Sequence, residues 1–510
     1  MKHTKAFLAA LLIALSLLLC CAGAQAASKR LIPLISINTV DKKEGTRFVT
    51  EPVKGNVSAA IATWTPGYTI PPEPYYVECT VSYTGTDGKT TVSKQPAQVK
   101  VRGNWTTSYE KKPLRIKFTE KQSLGGLNEG QAFKNWILLA EYKDLSMLRN
   151  KTAFALAHEI LGEDLYCSDC ELVEVEINGK YWGVYLLAEQ QEVAKGRVNV
   201  PEPKEGEDGP NVGYFVEYDA YYTLEDRLHS FTIDYNNYAP LIPYNGYANA
   251  NPFTPLCTDP EHKTDLVGFT IKSNIRSETQ RITIRDFISN AYVIMYSAAY
   301  DEKALEMTDD FRNTVPSSKT PREAVEAIVD VQSLADMYIL SELTCDPDIY
   351  YSSFFMSADL SADGDKKLRF EAPWDFDSAM GNRYVVEYGR GYHAANVVDD
   401  VDHVYKAINP WLTVLMKQEW FTDIITRKWT DLYDRGVFTE AIETVRSDSQ
   451  KYKSAFTKNY KRWSNMRDKS PIDYELNRQA YACKNEEESA EQLATWLERR
   501  VKFMNDVWHK

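Results

Sequence analysis

Long apolar runs, basic tracts and paired cysteine motifs are all scarce in this 510-residue chain. Only Ala6 to Cys21 is apolar enough to enter a membrane, and it falls short of the ~20 residues a span needs. Lys2 and Lys5 precede it, and Ala24-Gln25-Ala26 follows with small residues at the −3 and −1 positions of a signal-peptidase cut. Residues 1–27 therefore read as a removed secretory signal, which makes the mature chain secreted or cell-surface with no transmembrane span. No basic run is interleaved with aromatics, and Asp+Glu (72) exceed Lys+Arg (59), giving a formal charge of −13. Such a surface repels a phosphate backbone, so nucleic acid is excluded as the expected partner. Beyond the leader the cysteines are Cys79, Cys167, Cys170, Cys257, Cys345 and Cys483. Cys167-Ser-Asp-Cys170 has zinc or redox spacing, but no second CxxC or His pair completes a tetrahedral site. Disulfides of open pairing, or free thiols, are the expectation.

What is present is the make-up of a large globular protein, 44% hydrophobic and 26% charged, with 11 Trp, 32 Tyr and 19 Phe. Residues 28–100 read as a β-rich segment of short strands without a helix, broken by Pro/Gly stretches such as Ile70-Pro-Pro-Glu-Pro. Leu114 to Phe118 alternates as a half-buried strand, and Trp136 to Ala140 is a buried one. Asp144 then caps a helix ending at Gly162, and Asn178-Gly179 turns a hairpin between two further strands. A mainly antiparallel sheet with one helix against it follows for the first half. Asp234 to Lys263 is a Tyr/Asn/Pro-rich insertion that either grips a partner or packs on itself. Apolar residues recur at helical spacing from Ile282, and residues 411–510 read as a helical region packed on the rest.

The most informative stretch is Ser333 to Gly381. A buried helix ends near Thr344 and a carboxylate-bearing loop, Cys345-Asp-Pro-Asp348, follows. A strand, a turn and a second strand then deliver Pro373-Trp-Asp-Phe-Asp377. Phosphoryl transfer on a kinase scaffold uses this order: one aspartate after a helix accepts the acceptor's hydroxyl proton, and another at a hairpin exit holds magnesium. Asp348 fits the first role and Asp375 the second. Asp377, two residues on, points to the same face as Asp375 if the chain stays extended there.

Further motifs make the pattern specific. Val101-Arg-Gly-Asn-Trp105, Lys111-Lys-Pro-Leu-Arg-Ile-Lys-Phe118, Asp144-Leu-Ser-Met-Leu-Arg-Asn150, Asn178-Gly-Lys-Tyr-Trp-Gly-Val-Tyr-Leu-Leu187, Pro373 to Asp377 and Trp496-Leu-Glu-Arg-Arg500 resemble the spore coat protein H (CotH) kinase family. The resemblance implies an α+β, atypical protein-kinase-like two-lobe fold, with residues 101–410 as the kinase-like domain. It also implies ATP with Mg2+ or Mn2+ as cofactors and transfer to Ser or Thr of a protein substrate. By that analogy Asp348 is the catalytic base and Asp375 with Asp377 the metal ligands. Arg102, Lys112 and Lys117 are candidates for phosphate contact, with Lys112 first, and Glu189 is a candidate to orient a lysine. Arg149 and Asn150 read as packing or capping residues.

Two features depart from the kinase pattern. Ser353 stands five residues after Asp348, where an asparagine binding a second metal is expected. No glycine-rich phosphate loop of the usual form is present, and Gly125-Gly126 is its only stand-in. Export from ATP-rich compartments adds a rival from another class: a surface adhesin or scaffold that keeps the fold and holds a partner through the aromatic insertion.

Overall fold

The computed structural model describes residues 29–255, 267–383, 386, 388–399 and 406–510. The proposed leader and Cys257 lie outside these residues. Seven strands, β1 (Leu34–Thr39), β2 (Val77–Thr84), β3 (Thr90–Val101), β4 (Leu114–Gln122), β5 (Phe133–Leu139), β6 (Cys170–Ile177) and β7 (Lys180–Glu189), close into a barrel. Their order is β1-β2-β3-β4-β5-β7-β6. Every pairing is antiparallel except the closing one, where β1 lies parallel to β6. Closure leaves no open edge, which the expected antiparallel sheet would have had. Alternation drives it: Val77, Cys79, Val81 and Tyr83 of β2 and Leu114, Ile116 and Phe118 of β4 all point into one apolar interior. The division at residue 100 falls within β3, so the segments on either side share this barrel.

Local signals explain much of the tracing. Asn178 and Gly179 both take positive φ (52° and 72°), the turn that suits the twist of the β6–β7 hairpin. Asn178 also accepts a hydrogen bond from the Thr39 amide at 2.9 Å, tying that hairpin to β1. Ser58–Trp64 forms a short helix where only strands were expected, because its alanines favour helix over strand.

A second, five-stranded sheet comprises β8 (Gly213–Asp219), β9 (Ser230–Phe231), β10 (Gly268–Ile271) and, after the small hairpin of β11 (Leu305–Met307) and β12 (Thr314–Pro316), β13 (Phe354–Asp359) and β14 (Leu368–Glu371). Its order is β14-β13-β8-β10-β9. The helices Arg149–Leu161, Glu278–Tyr296 and Val331–Thr344 bury their apolar residues in the same core as this sheet. The last of these is buried at every position from Ser333 to Thr344, because it lies between the sheet and the helices Arg149–Leu161, Glu419–Asp434 and Glu486–Trp508. The architecture is therefore mixed α+β, β-rich at the start and helical at the end.

The final helices bind the two cores together. The helix Val437–Trp463 lies along β7, with Trp463 Nε1 donating to the Trp182 carbonyl at 2.7 Å and Asn459 Oδ1 accepting from the Val184 amide at 3.1 Å. Gly183 permits this approach: a Cβ there would stand 2.7 Å from Trp463 Nε1. Five cysteines, Cys79, Cys167, Cys170, Cys345 and Cys483, are free thiols. Burial pushes the Cys79 and Cys345 thiols up to about 12, so they behave as small apolar side chains.

Candidate functional site: an aspartate cluster flanked by cations

The helix Val331–Thr344 ends at Cys345, whose left-handed backbone (φ 48°) turns the chain sharply into the acidic loop. Asp346 is buried and its Oδ1 accepts from the Asp348 amide at 3.1 Å. Its carbonyl meets Nε2 of the buried His393 at 2.8 Å. A carbonyl can only accept, so that nitrogen carries the proton, and burial lowers the His393 pKa to about 3, keeping the ring neutral. Asp348 opens a single 3-10 turn, Asp348–Tyr350, and remains half-buried. Of the two carboxylates, Asp346 thus supports the loop and Asp348 is the more exposed.

The β13–β14 hairpin delivers the second acidic segment. Trp374 and Phe376 both pack on Phe154, with ring centroids 5.5 and 6.0 Å away, and the Phe376 amide donates to Asn150 Oδ1 at 2.8 Å. Between these anchors Asp375 adopts a left-handed conformation (φ 70°, ψ 51°), and a 3-10 turn follows at Phe376–Ser378. The extended course that would set Asp375 and Asp377 on one face is therefore not adopted. A tight turn, held by Asn150 and by aromatic packing, replaces it, and the two carboxylates still interact. Burial, then Asp377 and then Asp348, push the Asp375 carboxyl up to about 7, while Lys143 and Arg102 pull it down. Burial and then Asp348 likewise hold Asp346 well above the usual carboxylate range. Four aspartates from two separate loops thus crowd one another.

Cations answer this charge from two directions. Lys143 Nζ lies 3.0 Å from Asp377 Oδ1 and 3.7 Å from Glu475 Oε2. The Arg102 guanidinium lies 5.6 Å from the Trp374 ring centroid and is felt by Asp375. Lys100 and Arg115 are register partners on neighbouring strands and stand near it electrostatically, so this barrel face is basic. On the opposite sheet Glu217 pairs with Lys272 at 2.6 Å and accepts from the Ser353 amide at 2.9 Å. Ser353 itself has φ 59°, a conformation in which asparagine is several-fold enriched.

Not every expected residue joins this group. Lys112 is buried and donates to the Tyr109 carbonyl at 2.6 Å. Lys117 points out of β4 into solvent. Glu189 pairs with Arg197 at 3.0 Å and accepts from Asn128 Nδ2 at 2.7 Å, so the cation it orients is an arginine. Gly125 takes φ 64° beside Glu171, in the turn between β4 and β5. Arg149 pairs with Asp144 and donates to the Ala379 carbonyl at 3.1 Å, which makes it a brace behind the second acidic segment. Lys143 was missed although it adjoins the quoted Asp144 motif. A single charged residue between a strand and a helix carries no periodic signal, and only the fold brings it to Asp377.

The donor set suits a divalent ion. Asp377 is 7% exposed, and its Oδ1 faces the Lys143 ammonium at 3.0 Å. Among the described residues no three His, Cys, Asp or Glu side chains are arranged to enclose a metal by themselves. Hard ions such as Mg2+ commonly take one or two carboxylates and complete their shell with phosphate and water oxygens. Asp375 and Asp377 match that need.

Fold and site together define an α+β protein with a buried aspartate cluster flanked by fixed cations. The family model described as CotH kinase protein matches residues 99–504, and the chain belongs to that family. No curated protein matches it. Membership makes this a kinase-like protein.

Proposed function

We propose that the chain is an atypical protein kinase of two-lobe form, secreted or held at the cell surface, that transfers the γ-phosphoryl group of ATP to Ser or Thr of a protein. One observation carries the reading: Asp348 and Asp375, 27 residues apart in sequence, lie in segments joined by the Met380 amide donating to the Thr344 carbonyl at 2.7 Å, with the Arg102 guanidinium 5.6 Å from the ring of Trp374 beside Asp375. The barrel forms one lobe in this reading, and the second sheet with its helices forms the other.

The half-buried Asp348 accepts the proton of the acceptor hydroxyl, since it is the more exposed of the loop's two carboxylates. Asp375 and Asp377 would hold Mg2+ or Mn2+, which supplies charge neutralisation between phosphates. Arg102 and Lys143 add positive charge in a site of reduced dielectric, where it acts strongly on developing negative charge. Asn150 and the Phe154 ring keep the Asp375 turn in place.

Calorimetry with ATP and Mn2+ tests the reading. Asp375→Ala should abolish metal-dependent nucleotide binding while the protein still melts in a cooperative transition, and unchanged affinity would refute the site. The adhesin alternative draws on Ser353 and on Tyr247, which is 77% exposed. Much of the insertion packs inward, however: Tyr235 lies against Tyr292 and Trp411, and Tyr244 stacks on Trp508. Partner binding without any phosphotransfer would favour that alternative.

A further inference from the structure

Lys143 lies in the link between β5 and the helix Arg149–Leu161, and its ammonium is drawn into the aspartate cluster. Its side chain is 9% exposed, and those of Asp377 and Glu475 are 10% and 3% exposed. The pairing is rigidly built. Asn382 Nδ2 donates to the Lys143 carbonyl at 3.1 Å and to the Asp377 carbonyl at 2.7 Å, so one amide clamps both backbones. Glu475 is held by the Tyr109 hydroxyl and by Trp105 Nε1 at 3.0 Å.

Kinase sites commonly hold two divalent ions, the second on an asparagine five residues after the catalytic aspartate. Here that position is Ser353, a shorter ligand, and its amide is committed to Glu217. A positive charge beside Asp377 repels a further divalent ion strongly at reduced dielectric. It can also donate hydrogen bonds toward phosphate oxygens, as lysine does in other phosphate sites.

We propose that Lys143 is a built-in cation of this site, standing in for a second divalent ion, so that the chain binds one ion with its nucleotide. The nucleotide part rests on the kinase reading above. The effect on metal binding follows from Lys143 and Asp377 alone. Lys143 acts here as a positioning residue, through the carboxylate it holds.

The test is a Mn2+ titration of the purified protein by calorimetry, with and without a non-hydrolysable ATP analogue. Wild type should take up one Mn2+ per chain. Lys143→Met should admit a second ion, or bind Mn2+ alone on the order of tenfold more tightly once Asp377 loses its partner. Lys143→Arg should restore wild-type behaviour, a rescue that a merely structural role for the side chain would not give. Identical stoichiometry and affinity in wild type and Lys143→Met would overturn the inference. Should Lys143→Met not fold, electron paramagnetic resonance of the wild type decides: two dipole-coupled Mn2+ ions with the analogue refute a built-in cation, and one isolated ion supports it. Failure to bind the analogue, with the Lys143 effect on Mn2+ intact, would sink the kinase reading and leave this inference standing.

Discussion

Arg500→Met should be among the most damaging single substitutions away from the aspartates. Arg500 and Glu342 are 0% and 1% exposed, and they join the terminal helix Glu486–Trp508 to the helix that leads into the acidic loop. Arg500 Nη2 donates to Glu342 Oε1 at 2.5 Å, Nε donates to the Glu342 carbonyl at 2.7 Å, and Nη1 donates to the Gly391 carbonyl at 2.5 Å. The Glu342 carboxylate also accepts from the His393 amide at 2.9 Å and the Ala394 amide at 2.6 Å. Removing the guanidinium leaves that carboxylate buried with two amide donors and no counter-charge. Breaking a buried pair from one side costs about 3–5 kcal/mol, a large share of the 5–15 kcal/mol that holds a typical domain together. Because His393 also supports the Asp346 carbonyl, phosphotransfer should fall along with stability. Arg500→Met with Glu342→Gln removes both charges and should recover at least about 1 kcal/mol relative to the sum of the single effects. Urea denaturation of the four proteins measures this cycle. A loss below about 1 kcal/mol in Arg500→Met would refute the reasoning, since the pair would then not be desolvated as the fold requires.

The two aspartates of the acidic loop should separate cleanly. Asp348→Asn should slow phosphotransfer about 10²–10⁴-fold with little change in ATP affinity, whereas Asp346→Asn, which can still accept from the residue 348 amide, should retain most activity; the reverse ranking in a steady-state assay would place the base at Asp346. Ser353→Asn suits the left-handed backbone there and should alter stability by less than about 0.5 kcal/mol. Alone it should leave one bound Mn2+, and together with Lys143→Met it should give two, a count that calorimetry reads directly. Lys111 is buried with its Nζ on the Ala140 carbonyl at 2.6 Å, and burial lowers its pKa from 10.5 to about 7. Between those values the unfolded chain holds the extra proton, so this residue's contribution to stability rises with pH above about 7, while below it the full penalty persists. That gap corresponds to roughly 5 kcal/mol. Lys111→Met should flatten the rise in denaturation profiles between pH 7 and pH 10, and an unchanged slope would show that the ammonium is not desolvated.

The covalent order of the chain determined a good deal here. Alternating apolar residues in β2 and β4, the Asn178-Gly179 turn and the largely buried helix before Asp346 state their conformations locally, because side-chain period and turn chemistry act over a few residues. The positions of Asp348, Asp375 and Asp377 were legible for the same reason, as charged residues at the ends of regular elements. Their surroundings were not. Closure of the barrel depends on β1 finding β6, more than 130 residues away, and no local pattern encodes that pairing. Lys112 was the first candidate for phosphate contact and Glu189 a candidate to orient a lysine, yet the loop before β4 turns the first toward the Tyr109 carbonyl and the fold gives the second Arg197 for a partner. Lys143 carried no signal until the barrel, the Asp375 turn and the residues around Glu475 met around it. Charge in a buried site is set by distance and desolvation, which are properties of three-dimensional neighbours. The sequence could therefore name the aspartates, and only tertiary structure could assign their cations.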